Sequence, residues 1–503
     1  GASAGADAMK AASPWDQRRP ERELLLICLG GIGLGVILVM GSLHGVGRPL
    51  GLANLLPFLL YALSLAGLHL ALVLAGFRGD QILVVAVAFL PGFGLLAQTR
   101  LGAFAPGGGE AGLTDFAFVG GLGVMLALAL GFMGGRYRTL AAGHGVWVWA
   151  GISLLLVLVV LVTGQRFRGA VFGAGFITPT ELLKVSFVLF AAAYIDRHAK
   201  ALGVWVFHGL LPPWRPLAPL VGVWVALVVL LLVQRDLGMV MMLGLISPIL
   251  LTLGTGRWGY LGLGLGGAGL LVWLLLAVFQ HGERRIQAWL APFQDPTGDS
   301  WQVLQGLSGM YAGGLWGEGF GAGNPEYTPI AESDFIYAVI GEELGFVGTA
   351  LVLAFFLLLF LRGLRIAYGS RTPFGLLLAS GLTTVLATQT LLNIGGVTNF
   401  IPLTGITLPF ISQGGSSLLT AFAILGLLLA ISDGEAPGTQ ARAPRPASAT
   451  PARRPRPAGA PAASPHPGHS DPPPPGRAPG LGRKRRGGAP AAASPDSSRD
   501  ARD

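Results

Sequence analysis

Long apolar runs occupy most of the first 435 residues of this chain and constrain its fold more than any other feature. Only 12% of the residues are charged and 52% are hydrophobic, whereas soluble domains carry about 25% charged residues. An α-helix needs about 20 apolar residues to cross a bilayer. Twelve runs approach this length, at roughly 24–43, 52–76, 82–98, 116–132, 146–162, 180–195, 217–233, 237–254, 261–280, 335–361, 375–397 and 417–432. We therefore expect an all-α, polytopic membrane protein with about twelve transmembrane helices.

The stretch 217–254 is apolar enough to be read as a single helix. Such a helix would be about 57 Å long, nearly twice the thickness of the hydrocarbon core. Gln234, Arg235 and Asp236 interrupt it, so the sequence predicts two helices joined by a tight polar turn.

The net charge of +9 belongs mainly to the C-terminal tail. Residues 436–503 contain 12 Lys and Arg against 4 Asp and Glu, together with 16 of the 35 prolines. This composition cannot bury a hydrophobic core, so we expect a disordered, solvated tail; a weak attraction to anionic membrane lipid is the alternative. Because the rest of the chain is nearly neutral, the basic charge does not indicate a nucleic-acid-binding fold.

The charges near both ends predict the orientation in the bilayer, because cytoplasmic segments are enriched in Lys and Arg. Lys10, Arg18, Arg19 and Arg22 precede the first run, and the tail holds the basic cluster 483–486. Both termini are therefore expected in the cytoplasm. Alternation along twelve helices then places four polar segments on the outer face: 163–179, 234–236, 281–334 and 398–416.

These assignments divide the chain into four regions. They are a cytoplasmic N-terminal segment at 1–23, early helices at 24–132, a membrane core at 133–434 with an extracytoplasmic loop at 281–334, and the tail at 435–503. Gly1–Ala8 precedes Met9 and is interpreted as a cloning remnant within the first region.

The sequence offers little for redox or metal chemistry. Cys28 is the single cysteine, so an intrachain disulfide is excluded. The spacing of His, Cys and carboxylate residues does not match a metal site, and we predict no metal ligands. His69 lies in the middle of an apolar run and is expected to be a hydrogen-bonded packing residue.

The first candidate site is the pair Glu181 and Lys184, at the outer start of the sixth run. Thr180 is a plausible N-cap after Pro179. Residues three apart share a helix face, and charges at this depth are costly unless paired or facing a wet cavity. Glu181 and Lys184 could be a structural ion pair, or they could form a polar surface that binds an anionic or sugar ligand. The sequence favours neither interpretation.

The second candidate site lies in the outer loop. Arg284 and Arg285 follow the end of a helix and are either membrane-interface anchors, the more common role, or a clamp for a diphosphate. Asp295 precedes Pro296, which is typical of a turn; as a general base it needs a substrate hydroxyl within hydrogen-bond reach.

Two further polar groups lie near the last helices. Asp334 precedes an apolar helix that contains Glu342 and Glu343, for which structural pairing is the cautious interpretation. The segment from Asn393 to Ser417 is too rich in Pro and Gly to be a membrane helix, and too apolar to be a solvated loop. It is expected to be re-entrant, because irregular backbone at membrane depth must be packed in protein.

Five motifs in this order resemble the SEDS family (shape, elongation, division and sporulation), which includes RodA, FtsW and SpoVE. TPTELLK at 178–184 resembles its QPSE-x-x-K motif, QRDLG at 234–238 its QPDLG motif, and DPTGDSWQ at 295–302 its DP-x-G-x-GYQ segment. SDFIYAVIGEELG at 333–345 and PLTGITLPFISQGGSS at 402–417 match the family's TDF and GGSS motifs closely. The chain differs in having Thr328-Pro329-Ile330 where LPE is expected, and in two helices that precede the ten usual in the family, as in actinobacterial RodA-like members.

The resemblance implies a peptidoglycan glycosyltransferase of the bacterial cytoplasmic membrane that polymerises lipid II during cell elongation or division. The motif match carries the key aspartate onto Asp295, as the general base of an inverting displacement. The other implied site residues bind substrate: Glu181, Lys184, Arg284, Arg285, Gln302, Asp334, Asn393, Ser416 and Ser417. Arg284 and Arg285 would stabilise the diphosphate, a task that a divalent cation, Mg²⁺ or Mn²⁺, could share. The implied partner is a class B penicillin-binding protein, a transpeptidase.

Two other functions are compatible with the same residues. A lipid-linked sugar flippase would use intramembrane charges along a pathway through both leaflets, whereas the polar residues here concentrate on the outer side. A non-catalytic scaffold of the wall-synthesis complex would tolerate the loss of Asp295.

Overall fold

The computed structural model of the protein describes residues 13–45, 47, 52–102, 110–167, 170–172, 178–206, 209, 211–278, 286–298 and 300–435. All of them belong to one compact unit; the predicted tail 436–503 lies outside the described residues. The helices are α1 (Pro14–Gln17), α2 (Arg19–Gly45), α3 (Leu56–Leu74), α4 (Gln81–Arg100), α5 (Glu110–Gly131), α6 (Gly145–Thr163), α7 (Pro179–Leu202), α8 (Trp214–Gln234), α9 (Leu237–Thr255), α10 (Gly259–Val278), α11 (Trp301–Gly313), α12 (Ile336–Gly369), α13 (Pro373–Val397) and α14 (Gly415–Gly434). Strands β1 (Gln165–Phe167) and β2 (Ala170–Phe172) form a short antiparallel hairpin.

Every one of the twelve apolar runs coincides with a helix of at least 19 residues. Among the described residues, nine helices are long and apolar enough to cross a membrane. The number rises to ten if the bent pair Phe116–Gly131 and Gly134–Ala141 forms one span. The helical membrane fold is thus confirmed, and the count of about twelve stays a prediction.

The polar turn between α8 and α9 confirms that 217–254 is two helices. Arg235 ends α8 in the left-handed conformation, at φ 62°. The Asp236 carboxylate then caps α9 by accepting a hydrogen bond from the backbone N–H of Met239 at 2.9 Å. A left-handed residue followed by an Asp cap reverses the chain within two residues.

Helix α12 is broken, although its sequence predicts one continuous helix over 335–361. Gly345 has φ 64° and ψ −164°, and the backbone of 314–319 lies against the break. The N–H groups of Phe346 and Val347 donate to Gly314 O and Leu315 O at 2.9 and 3.1 Å. Because a Cβ at Gly345 would overlap this neighbouring backbone, glycine permits both the conformation and the close approach.

The segment between α13 and α14 folds back into the bundle, as expected for a re-entrant segment. Leu408, Phe410 and Ile411 are buried, and the Gln389 side chain donates to Thr407 O at 3.0 Å. Gln389 lies eight residues before the end of α13, so the chain returns about 12 Å along that helix. Buried hydrogen bonds of this kind satisfy the irregular backbone.

The N-terminal helices α2 and α3 pack against α4 and α5. His69 of α3 is buried, and its Nδ1 lies 2.7 Å from Oε1 of the buried Glu21. Arg18 pairs with the same carboxylate and donates to Phe77 O at 3.0 Å. His69 is therefore a hydrogen-bonded packing residue, as its sequence position predicts. Helical structure begins at Pro14, within the predicted segment 1–23.

Candidate active site

The first turns of α7 hold the predicted pair Glu181 and Lys184. The helix begins at Pro179 with Thr178 as its N-cap; the prediction that Thr180 is the cap is wrong, because proline is well suited to the first helical position. Lys184 Nζ donates to Glu181 Oε2 at 2.5 Å. The Lys184 side chain is 1% exposed and that of Glu181 is 22% exposed, so the carboxylate lies nearer the edge of the bundle than the ammonium.

Gln389 of α13 joins this pair to the re-entrant segment. Lys184 Nζ donates to Gln389 Oε1 at 3.0 Å. The Gln389 amide nitrogen donates to Thr407 O at 3.0 Å and to Ser417 Oγ at 3.1 Å, and the hydroxyls of Thr407 and Ser417 are 2.8 Å apart. The sequence interpretation missed Gln389 and Thr407. The available signal was that Gln389 lies four residues before Asn393, on the same face of the largely apolar α13.

Asn393 lies one turn further along α13 and joins Asp334 to the same segment. Its Nδ2 donates to Asp334 O at 2.8 Å and to Ile406 O at 2.7 Å. Asn393 is buried, and its Oδ1 is without a hydrogen-bond partner among the described residues. Asp334 is half-buried, and Ser333 Oγ donates to its carboxylate at 3.2 Å.

Ser416 completes the group at the start of α14. The backbone N–H of Thr178 donates to Ser416 Oγ, which ties the N-terminus of α7 to that of α14. Six predicted residues thus lie in three neighbouring groups of hydrogen bonds around the re-entrant segment: Glu181, Lys184, Asp334, Asn393, Ser416 and Ser417. They come from α7, α13, α14 and the start of α12.

Asp295 and Gln302 lie on the outer loop. Asp295 is exposed and begins a turn in which Gly298 N donates to its carbonyl oxygen at 3.4 Å. Gln302 is half-buried in the first turn of α11. The preceding part of the loop is anchored to the end of α13, because Trp289 Nε1 donates to Asn399 O at 3.0 Å. Arg284 and Arg285 lie outside the described residues.

Glu342 and Glu343 hold the loop over the break in α12, which agrees with structural pairing. Arg100 Nε donates to Glu343 Oε1 at 2.8 Å. The backbone N–H groups of Asn324 and Gly321 donate to Glu342 and Glu343 at 2.6 and 2.5 Å. Both carboxylates are buried, so hydrogen bonds and the Arg100 charge compensate them.

The described part of the chain contains no group of three or more His, Cys, Asp or Glu residues placed to hold a metal ion. Glu181, the carboxylate at the edge of the buried arrangement, is already paired with Lys184. The described residues therefore do not fit a protein-held divalent cation, and we derive no step through one.

The family model of the FtsW/RodA/SpoVE cell cycle proteins matches residues 113–436, which is more than half of the chain. The chain belongs to the FtsW/RodA/SpoVE family. Within it, the chain is 35% identical to the peptidoglycan glycosyltransferase RodA of Mycobacterium tuberculosis over 444 residues, covering 84% of this chain and 92% of that protein. It is 37% identical over 294 residues to the probable peptidoglycan glycosyltransferase FtsW of Trichlorobacter lovleyi, covering 56% of this chain and 74% of that protein.

Solved structures show the same FtsW/RodA/SpoVE fold. A chain from a peptidoglycan synthase complex, studied for how polymerization and crosslinking are coordinated, superposes with a TM-score of 0.57 at 30% identity. It covers 71% of this chain and 98% of that one. A mutant of the Thermus thermophilus rod shape determining protein RodA superposes with a TM-score of 0.50 at 26% identity, covering 71% and 97%.

Proposed function

We propose that this family member is a peptidoglycan glycosyltransferase that polymerises lipid II into glycan strands. Its relative from Mycobacterium is named a peptidoglycan glycosyltransferase, and its relative from Trichlorobacter a probable one. The observation that carries the proposal is the buried Lys184 ammonium, held beside Glu181 and Gln389 where the re-entrant segment enters the bundle. A buried cation near the end of a membrane bundle suits an anionic head group whose lipid chain stays in the bilayer.

Lys184 is suited to bind an oxygen of the donor. An ammonium has three N–H donors, and within the described residues Glu181 and Gln389 accept two of them. The third is left for a phosphate or sugar oxygen. Because Lys184 is almost fully buried, this hydrogen bond would form at low dielectric, where a charged donor binds more strongly than in water.

In the proposed reaction Asp295 is the general base. It takes the proton of the acceptor 4-hydroxyl, and the resulting oxygen attacks the anomeric carbon of the donor from the side opposite the leaving group. The bond to undecaprenyl diphosphate breaks as the new glycosidic bond forms, which inverts the anomeric configuration. The exposed position of Asp295, on a loop anchored to the end of α13 through Trp289, supports access to an acceptor chain.

The departing diphosphate is proposed to be stabilised by Arg284 and Arg285, whose planar guanidinium groups match phosphate oxygens. Gln302, Asp334, Asn393, Ser416 and Ser417 are the remaining substrate-binding candidates. A divalent cation, Mg²⁺ or Mn²⁺, would in this proposal be bound by the diphosphate itself, since the described residues do not offer a set of ligands for it.

The proposed location is the bacterial cytoplasmic membrane, with both termini in the cytoplasm and the site facing outward. Single-cysteine variants test this topology. After Cys28→Ala, a thiol at exposed Glu318 should react with an impermeant maleimide in intact spheroplasts, whereas one at exposed Arg136 should react only after lysis. Labelling of Arg136→Cys in intact spheroplasts contradicts the orientation.

The proposed partner is a class B penicillin-binding protein that cross-links the new strands. The similar chain from a peptidoglycan synthase complex supports an assembly of polymerase and cross-linking enzyme.

The decisive experiment is polymerisation of purified lipid II by the protein with its partner, followed by gel analysis of glycan strands. Wild type and Glu318→Gln, an exposed carboxylate on the same loop region, should make polymer, and Asp295→Asn should make none while keeping its thermal stability. Polymer from Asp295→Asn removes Asp295 from the mechanism. If wild type makes none but moves lipid II across liposome membranes, the flippase function replaces the enzyme; inactivity in both assays favours the scaffold.

A further inference from the structure

The orientation of the Gln389 amide is determined by its neighbours. Thr407 O is a backbone carbonyl and can only accept a hydrogen bond. It lies 3.0 Å from Gln389 Nε2, so the amide nitrogen must face the re-entrant segment. The amide oxygen is then directed at Lys184 Nζ, 3.0 Å away. The Gln389 side chain thus donates to a backbone carbonyl through its nitrogen and accepts from an ammonium through its oxygen.

The connections of Gln389 reach three elements besides its own helix. They are α7 through Lys184, the re-entrant segment through Thr407, and the first turn of α14 through Ser417. Gln389 is 3% exposed, so water does not readily substitute for a lost partner. A buried hydrogen-bond network of this kind specifies one arrangement of the groups it joins.

We propose that Gln389 is a positioning residue with two roles. It orients the Lys184 ammonium toward the substrate, and it holds the re-entrant segment against α13. This inference rests on the proposed glycosyltransferase function. Gln389 acts through Lys184, because its carbonyl oxygen is the second acceptor that holds the ammonium after Glu181. When the amide is removed, Glu181 is the one acceptor left to hold the ammonium among the described residues, and Thr407 O loses the amide donor that holds it.

The test compares lipid II polymerisation by five variants with wild type. Gln389→Met has a similar shape and cannot hydrogen-bond in the same way, and we expect its rate to fall about 10- to 100-fold. Gln389→Glu keeps an oxygen for Lys184 but brings a second oxygen to Thr407 O, which cannot donate to it, so its rate should be no higher than that of Gln389→Met. Thr390→Val is the matched control: it is a buried neighbour on α13 whose hydroxyl donates only within the helix, to Leu386 O. It should retain the wild-type rate.

The other two variants are Lys184→Met alone and its combination with Gln389→Met. If Gln389 acts through Lys184, the double variant should be no slower than Lys184→Met alone, since residues that work through one another are not additive. Additive losses, or a Gln389→Glu variant with the wild-type rate, overturn the positioning role in favour of general packing. A wild type that makes no polymer indicates failure of the proposed function; a Gln389→Met variant with full activity refutes this inference alone.

Discussion

Arg100 at the end of α4 donates from Nε to Oε1 of Glu343 at 2.8 Å, although the two residues are 243 positions apart in the chain. Both side chains are less than 10% exposed. Glu343 also accepts a hydrogen bond from Gly321 N. The pair therefore ties three separate segments together: the end of α4, the outer loop and the first part of α12, just before its break.

We expect Arg100→Met to lower the free energy of unfolding by about 3–5 kcal/mol, because removing one partner leaves a buried carboxylate uncompensated. Unfolding of the purified protein in mixed micelles measures the loss. The double variant Arg100→Met with Glu343→Gln should recover part of it, since the remaining side chain is then neutral. A double variant no more stable than Arg100→Met shows that the charge is not the source of the loss.

Lys184→Met should lower the polymerisation rate roughly 100-fold, on the scale of losing one well-placed charged donor in a low-dielectric site. The change keeps the length and burial of the side chain but removes the ammonium. Lys200→Met, an exposed lysine near the other end of α7, is the matched control and should be active. Equal rates for the two variants exclude a role for the Lys184 charge.

Gly345→Ala should destabilise the protein by about 2–4 kcal/mol, because the backbone has φ 64° and the new methyl group overlaps 314–319. Gly369→Ala lies at the end of the same helix with open space around its Cβ position, and should be neutral. Thermal unfolding followed by fluorescence-detected size exclusion compares the two. A stable Gly345→Ala variant means that the loop can move away from the break at little cost.

Glu435 gives an expected pH dependence. Burial raises the pKa of its carboxyl, but hydrogen bonds from Arg138 and Tyr137, both 2.7 Å, outweigh burial and lower the pKa below its ordinary value of 4.5. A lowered folded-state pKa contributes stability that is present above pH 4.5 and is lost as the pH falls through the folded value. Glu435→Gln should therefore lower the melting temperature at pH 7.

The difference in melting temperature between Glu435→Gln and wild type should shrink as the pH is lowered below 4.5. The control is Glu332→Gln, which replaces an exposed carboxylate and should have the same melting temperature as wild type at each pH. A Glu435→Gln deficit that stays constant between pH 7 and pH 4 would falsify the assigned linkage and point to packing around Tyr137 instead.

A site residue could be predicted when the residues next to it in the sequence already marked it as unusual. Glu181 and Lys184 were recognisable because they are charges three residues apart at a helix start. Asn393 and Ser417 were recognisable as the polar ends of the predicted re-entrant segment, although Asn393 lies in the last turns of α13 and Ser417 in the first turn of α14. Gln389 was missed, because an amide in a largely apolar helix does not reveal its partners in other helices. The break at Gly345 was missed for a related reason: its cause is the approach of 314–319, a separate segment.

By itself the sequence determined that this is a helical membrane protein, where its helices lie, that α8 and α9 are separate, and to which family it belongs. These properties depend on the length, apolarity and order of contiguous residues. Only the tertiary structure decided that Gln389 contacts Lys184, 205 positions away, and that Arg100 compensates Glu343. Such contacts depend on how distant helices pack, and the energy of a buried hydrogen bond exists only once packing has excluded water from both partners.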